Sequence, residues 1–232
     1  MKRIISTLLG ILLSLSFTAT VFEAGQSYKP PRTSEGLPDL QGIWEAHNTA
    51  DADIQKFLVG GGTLPYTPEA AKKKAENAKI AKTADPLAQC FMAGVPRTMY
   101  LHFPFQIFEG AGYALMTSEY AHSFRYIQTD GRPHLVGTEF WMGDSRGRWD
   151  GDSLVVDTTG FTDRTWFDTA GDFHSGSLHV TERFTRTGLD VLTYEATIDD
   201  PKTFTKPFTI RMTMNRHTEK NFQLREHECY GI

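Results

Sequence analysis

Cysteine is nearly absent: the 232 residues hold two, Cys90 and Cys229. That excludes a disulfide-rich scaffold and a four-cysteine zinc site. Charge of one sign is missing too. Lys and Arg number 24 against 28 Asp and Glu, a formal net charge of −4. No basic field is there to draw in a nucleic-acid backbone. Long apolar runs are confined to the N-terminus, and no repeat period marks a propeller or solenoid. None of the eight histidines shows His-x-His or His-Glu-x-x-His spacing, and no Cys-x-x-Cys-His haem motif occurs. The expectation is therefore no resident metal or cofactor, although distant strands could still assemble three zinc ligands. What is present is enough for a core. The chain is 40% hydrophobic and 12% aromatic, with 16 Phe, so wholesale disorder is excluded.

Residues 1–24 read as a secretory signal peptide. Lys2 and Arg3 precede an apolar run from Ile4 to Ala19, and Thr18, Ala19, Thr20 and Ala24 supply small residues. The run falls short of the roughly 20 residues of a membrane span, with an uncleaved N-terminal anchor as the alternative. Cleavage would leave 22 basic and 27 acidic side chains, net −5. The expected location is periplasmic or secreted, with no membrane attachment afterwards. In an oxidising compartment Cys90 and Cys229 are expected to pair, closing a loop of about 140 residues worth about 5 kcal/mol in chain entropy. Two separate buried thiols are the alternative.

Residues 25–66 read as an N-terminal extension with a first short strand at Asp39–Glu45. Residues 67–232 read as a helix and a barrel that form one domain with 39–66. Thr67-Pro68-Glu69 is a helix start: an N-cap, a proline at the first position and an acid in the first turn. Lys72, Lys73 and Lys74 then read as a solvated face. From Phe103 onward the pattern is β. Gly110-Ala111-Gly112 and Asp150-Gly151 mark hairpins. Leu178–Arg186, Val191–Ile198, Phe208–Asn215 and Phe222–Glu228 are predicted as the closing strands, the first three alternating apolar and polar faces. Consecutive antiparallel strands must protect their edges, and closure into a barrel does so most simply. The predicted fold is mainly β, an antiparallel meander closed as a barrel with one N-terminal helix. A β-sandwich is the alternative.

Several stretches resemble a known pattern. They are Pro38-Asp39-Leu40-Gln41-Gly42-Ile43-Trp44, Asp130-Gly131-Arg132-Pro133-His134, Gly147 through Phe161, His174-Ser175 and Glu182-Arg183-Phe184. Together they resemble a family of exported bacterial proteins to which no activity is attached. More loosely, Gly42-Ile43-Trp44 is similar to the Gly-x-Trp opening of lipocalins, whose Trp plugs the barrel floor. That resemblance implies a calycin-like barrel, although here the helix precedes the main strands.

The chemical candidates follow from strand parity. Glu182 falls on the apolar face between Val180 and Phe184. A carboxyl in an apolar cavity gains affinity for its proton and suits acid–base work. A salt bridge to a barrel arginine is the competing reading. His122 and Arg125 share a polar stretch with Glu119 and Tyr126. His174 lies in a rim-side loop, where function often concentrates. Arg132, Trp141, Trp166 and Phe173 complete a candidate ligand-binding set, with a plug of the barrel end as the alternative for the aromatics. The functional expectation is a barrel holding a small, partly apolar organic molecule. Turnover is left open, with a lean toward a lyase or isomerase using Glu182, His122, His174 and Arg125. A non-catalytic carrier and a metal-dependent enzyme are the alternatives. The sequence says nothing of oligomeric state.

Overall fold

The computed structural model describes residues 28–229. The leader assigned to residues 1–24 lies outside the described residues. Among those residues, nine strands form a closed barrel in sequence order. They are β1 (Gly42–Glu45), β2 (Phe105–Gly110), β3 (Tyr113–Ser118), β4 (Phe124–Gln128), β5 (Asp144–Asp150), β6 (Ser153–Thr159), β7 (His179–Gly188), β8 (Val191–Asp199) and β9 (Phe208–Arg216). Helix α1 spans Pro68–Ala84, with the Thr67 side chain accepting from Ala70 N–H at its start. The architecture is a calycin-like barrel.

Alternation sets the wall. On β7 and β8 every second residue is buried, so Val180, Glu182, Phe184, Tyr194 and Ala196 point inward and the threonines between them face out. Two seams are thin. β4 runs parallel to β5 through Ile127↔Ser145 and Gln128↔Arg146. β1 closes on β9 through Trp44↔Arg216 and Glu45↔Asn215. The parallel seam departs from a pure meander because the 129–143 connection crosses over the barrel wall instead of turning back as a hairpin.

One predicted strand is corrected. Phe222–Glu228 does not join the sheet, because β1 already occupies the edge of β9 and no edge is left. The segment instead packs on the barrel rim, with Phe222 stacked on His217 at 3.8 Å and His227 bridging to Tyr120. The Cys90–Cys229 disulfide pins its end, 139 residues apart in sequence.

The two barrel ends differ. At one end Trp44, fully buried, packs against the guanidinium groups of Arg186 and Arg216, 5.8 and 6.0 Å from its ring centroid. Its indole N–H donates to Leu40 O at 2.9 Å. A Cβ on Gly42 would stand 2.7 Å from Arg216 Nε, and Gly42 has φ +140°. Only glycine admits the arginine over the tryptophan there. At the other end α1, three 3-10 turns (Ile54–Phe57, Pro86–Gln89, Arg97–Met99) and the 160–178 and 200–207 loops form a cap. Phe161, Phe167 and Phe204 of those loops are buried.

Candidate functional site

The barrel interior holds a closed polar network. Glu182, 0% exposed, and Arg125, 3% exposed, face each other across the lumen. Arg125 donates to both carboxylate oxygens of Glu182, through Nη1 to Oε1 at 3.0 Å and through Nη2 to Oε2. Tyr194 donates its hydroxyl to Glu182 Oε1 at 2.8 Å. The remaining guanidinium contacts go to Ser145 Oγ at 2.9 Å and Thr158 Oγ1 at 2.8 Å. Burial and the nearby Glu182 charge push the Tyr194 phenol well above its ordinary value. Apolar side chains fill the surrounding space: Trp44, Phe184, Leu154 and Val156 are all fully buried. A gap of about 10 Å³ beside Arg125, lined in part by Met99, Met116 and Met142, is about the size of one water. Parity thus aimed Glu182 inward correctly, and the structure gives it an arginine partner.

The other predicted residues are dispersed. His122 sits in the β3–β4 turn, half-exposed, with Nε2 3.6 Å from Glu228. That turn holds Ala121 and His122 at φ 52° and 48°, which sends His122 outward while Arg125 points in. Glu119 accepts from Arg225 N–H at 2.8 Å. Tyr126 stacks on Tyr113 on the outer wall at 5.3 Å, and Arg132 pairs with Asp130 in the open. His174 is 1% exposed. Its Nδ1–H donates to Ser175 O at 2.9 Å, so Nε2 accepts from Thr165 Oγ1 at 2.7 Å. Burial lowers its pKa. Phe173 is buried against Tyr66. Trp141 stacks on Phe91 at 5.0 Å, and Trp166, Phe91 and Arg164 line a shallow cleft of about 330 Å³.

A larger cleft of about 470 Å³ opens within the cap. Ala81 and Lys82 of α1 and Leu87 and Ala88 of the next 3-10 turn form one wall; Leu101, His102, Phe103 and Tyr120 form the other. Its floor is Arg97, 1% exposed. Arg97 grips Asp85 through Nη1 at 2.7 Å and Nη2 at 2.8 Å, and Asp51 through Nε at 2.7 Å. Burial works against the Arg97 charge, but the hydrogen bonds and proximity of the two aspartates outweigh it and raise its pKa. Tyr120 donates to the carbonyls of Leu87 and Phe91 at 3.3 Å, which ties the cleft wall to the disulfide region. Sequence reasoning missed this site. Arg97 enters the cap as the first residue of the 3-10 turn that follows Gly94-Val95-Pro96.

Two further clusters carry titratable groups. Asp168 and Asp172, 0% and 2% exposed, lie with Asp53 in a group whose oxygens fall within 4.8 Å of one another. Asp168 accepts from Ile54 N–H at 2.8 Å and Asp172 N–H at 3.0 Å, and Asp172 accepts from Tyr66 at 2.7 Å. Burial, then the Asp172 charge, pushes Asp168 up to about 8, so one proton is held within the pair at neutral pH. On the outer wall, Asp157 accepts from His134 and His179. Burial opposes its charge, but these hydrogen bonds prevail and lower its pKa.

Comparison with protein-family models and with curated proteins yields no match.

Proposed function

We propose that the protein is an exported ligand-binding barrel that takes a small, partly apolar organic molecule in the cap cleft, not in the lumen. The observation that carries this reading is the cleft of about 470 Å³ over the Arg97–Asp85–Asp51 floor. Its size falls within the roughly 300–1,000 Å³ of small-molecule sites, and such sites pair apolar walls with a few fixed polar groups. Leu87, Ala88, Leu101 and Phe103 supply the apolar walls. Tyr120, His102 and Lys82 supply polar groups at the sides. Arg97 is rigid because each of its three nitrogens is tied to a carboxylate, so the floor needs no reorganisation on binding. Export is supported by the leader-like composition of residues 1–24 and by the disulfide, a bond typical of oxidising compartments.

The test is a titration with anilinonaphthalene sulfonate, an apolar fluorophore whose anionic group suits Lys82. Wild type is expected to bind it at one saturable site. Ala88→Trp, which fills the cleft from a partly exposed position, is expected to abolish binding with little change in melting temperature. Undiminished binding by Ala88→Trp would remove the cleft as the site.

A further inference from the structure

Aromatic rings usually leave water on folding, yet three gather beside the cap cleft without being covered. Phe91 is 42% exposed and stacks on Trp141 at 5.0 Å, with the ring planes 22° apart. Trp166, half-buried, lines the shallow cleft of about 330 Å³ together with Phe91. The 3-10 turn Pro86–Gln89 serves both clefts: Leu87 and Ala88 line the larger one, Pro86 and Gln89 this one.

The chain holds these rings firmly. Phe91 N–H donates to Pro86 O at 3.0 Å, and Phe91 O accepts from the Tyr120 hydroxyl at 3.3 Å. The residue before it, Cys90, is tied to Cys229. Trp166 stands between Thr165 and Phe167, both buried. Thr165 Oγ1 donates to His174 Nε2, and Phe167 N–H donates to Asp172 O at 2.7 Å. Rings fixed in this way lose little freedom when a ligand arrives.

Polar groups share the same cleft. Gln89, Asp163 and Arg164 line it, and all three are exposed. Gln89 Nε2 donates to Thr83 O at 3.3 Å, which leaves Oε1 as an acceptor. Arg164 lies 6.0 Å from the centre of the Trp141 ring and takes no carboxylate partner among the described residues. The charges of Asp163 and Arg164 cancel. The cleft therefore offers aromatic faces, acceptors, a guanidinium with several donors and no net charge.

We propose that this cleft is a saccharide-binding site. A sugar ring has a face of C–H groups that packs on an aromatic ring, and hydroxyls that both donate and accept. It can use the rings, Asp163 and Arg164 at once. A phosphate or carboxylate would meet Asp163, an amine would meet Arg164, and a hydrocarbon would use the rings alone. A volume at the low end of the roughly 300–1,000 Å³ of small-molecule sites suits a mono- or disaccharide.

Calorimetric titration of the purified protein with maltose, cellobiose, lactose and diacetylchitobiose tests the site. At least one is expected to bind saturably at millimolar concentration. Phe91→Ala removes the stacking face and Arg164→Ala removes the donors; each is expected to weaken binding about 10-fold. Arg164 is exposed, so Arg164→Ala is expected to keep the wild-type melting temperature. Phe124→Ala, which removes a 67% exposed ring on the outer wall, is expected to bind as wild type. Four results would each overturn the proposal: no binding of any of these sugars at millimolar concentration, unchanged affinity in both site variants, loss of binding in Phe124→Ala, or uptake of adenosine in place of a sugar.

Discussion

The two ends of this barrel are closed by different means. At the floor, one large aromatic does the work: Trp44 plugs this end of the lumen, Arg186 and Arg216 pack against its ring, and Gly42 makes the space for Arg216. At the cap, short helices and loops cover the opening with aromatics, buried aspartates and a buried arginine, and leave a cleft of about 470 Å³. A floor built on one side chain is compact and leaves little to vary. A cap built from loops must satisfy many backbone and carboxyl groups, and that requirement gathers polar chemistry where a ligand can reach it. Between the ends, the Arg125–Glu182–Tyr194 network fixes the middle of the lumen.

The largest expected effect comes from that middle. Arg125→Met removes one partner of a buried ion pair and leaves the Glu182 charge uncompensated, a change that costs about 3–5 kcal/mol. Chemical denaturation checks it. If the lumen were a site and not a keystone, the variant would lose binding while keeping its stability.

A pH series then compares the two ends. Glu109, at the floor, accepts from Leu40 N–H at 3.0 Å, and burial pushes it up to about 7. Asp168, in the cap, is pushed up to about 8. Both hold a proton when folded that the unfolded chain has released. Each contribution is therefore complete below the unfolded pKa of about 4 and is lost as pH rises through the folded value. Between those limits each group makes stability fall by up to about 1.4 kcal/mol per pH unit. Glu109→Gln is expected to flatten the denaturation profile up to pH about 7, and Asp168→Asn up to pH about 8. Profiles identical to wild type would show that these carboxyls are not buried as protonated acids.

The smallest expected effect lies at the rim. Ala121 has φ 52°, a left-handed conformation that costs a side-chain-bearing residue about 1–2 kcal/mol. Ala121→Gly is expected to raise stability by about 1 kcal/mol, read as a higher denaturation midpoint. A lower midpoint would mean that the turn is not strained.

Much of the wall was legible in the sequence because period-two alternation is a local property. It placed Glu182 inward, and the Gly-x-Trp opening placed Trp44 at the floor. Thr67-Pro68 marked the helix start because capping is equally local. The partner of Glu182 was not legible as such: Arg125 lies 57 residues away, and parity tells which face a residue takes but not what meets it there. Phe222–Glu228 alternates as a strand does, but the edge it would need is taken by β1. The cap cleft was hidden for the same reason. Asp51, Asp85 and Arg97 come from three segments with no shared pattern, joined only by the folded barrel beneath them. His134, Asp157 and His179 are likewise spaced without a motif and meet only through the β6–β7 register and the crossing connection.

The claim that the working site is the cap and not the lumen is tested most directly by titrating anilinonaphthalene sulfonate into Ala88→Trp and Glu182→Gln side by side. The account predicts that Ala88→Trp loses binding at unchanged stability, while Glu182→Gln loses stability but binds as wild type when folded. Binding retained by Ala88→Trp and lost by folded Glu182→Gln would contradict it.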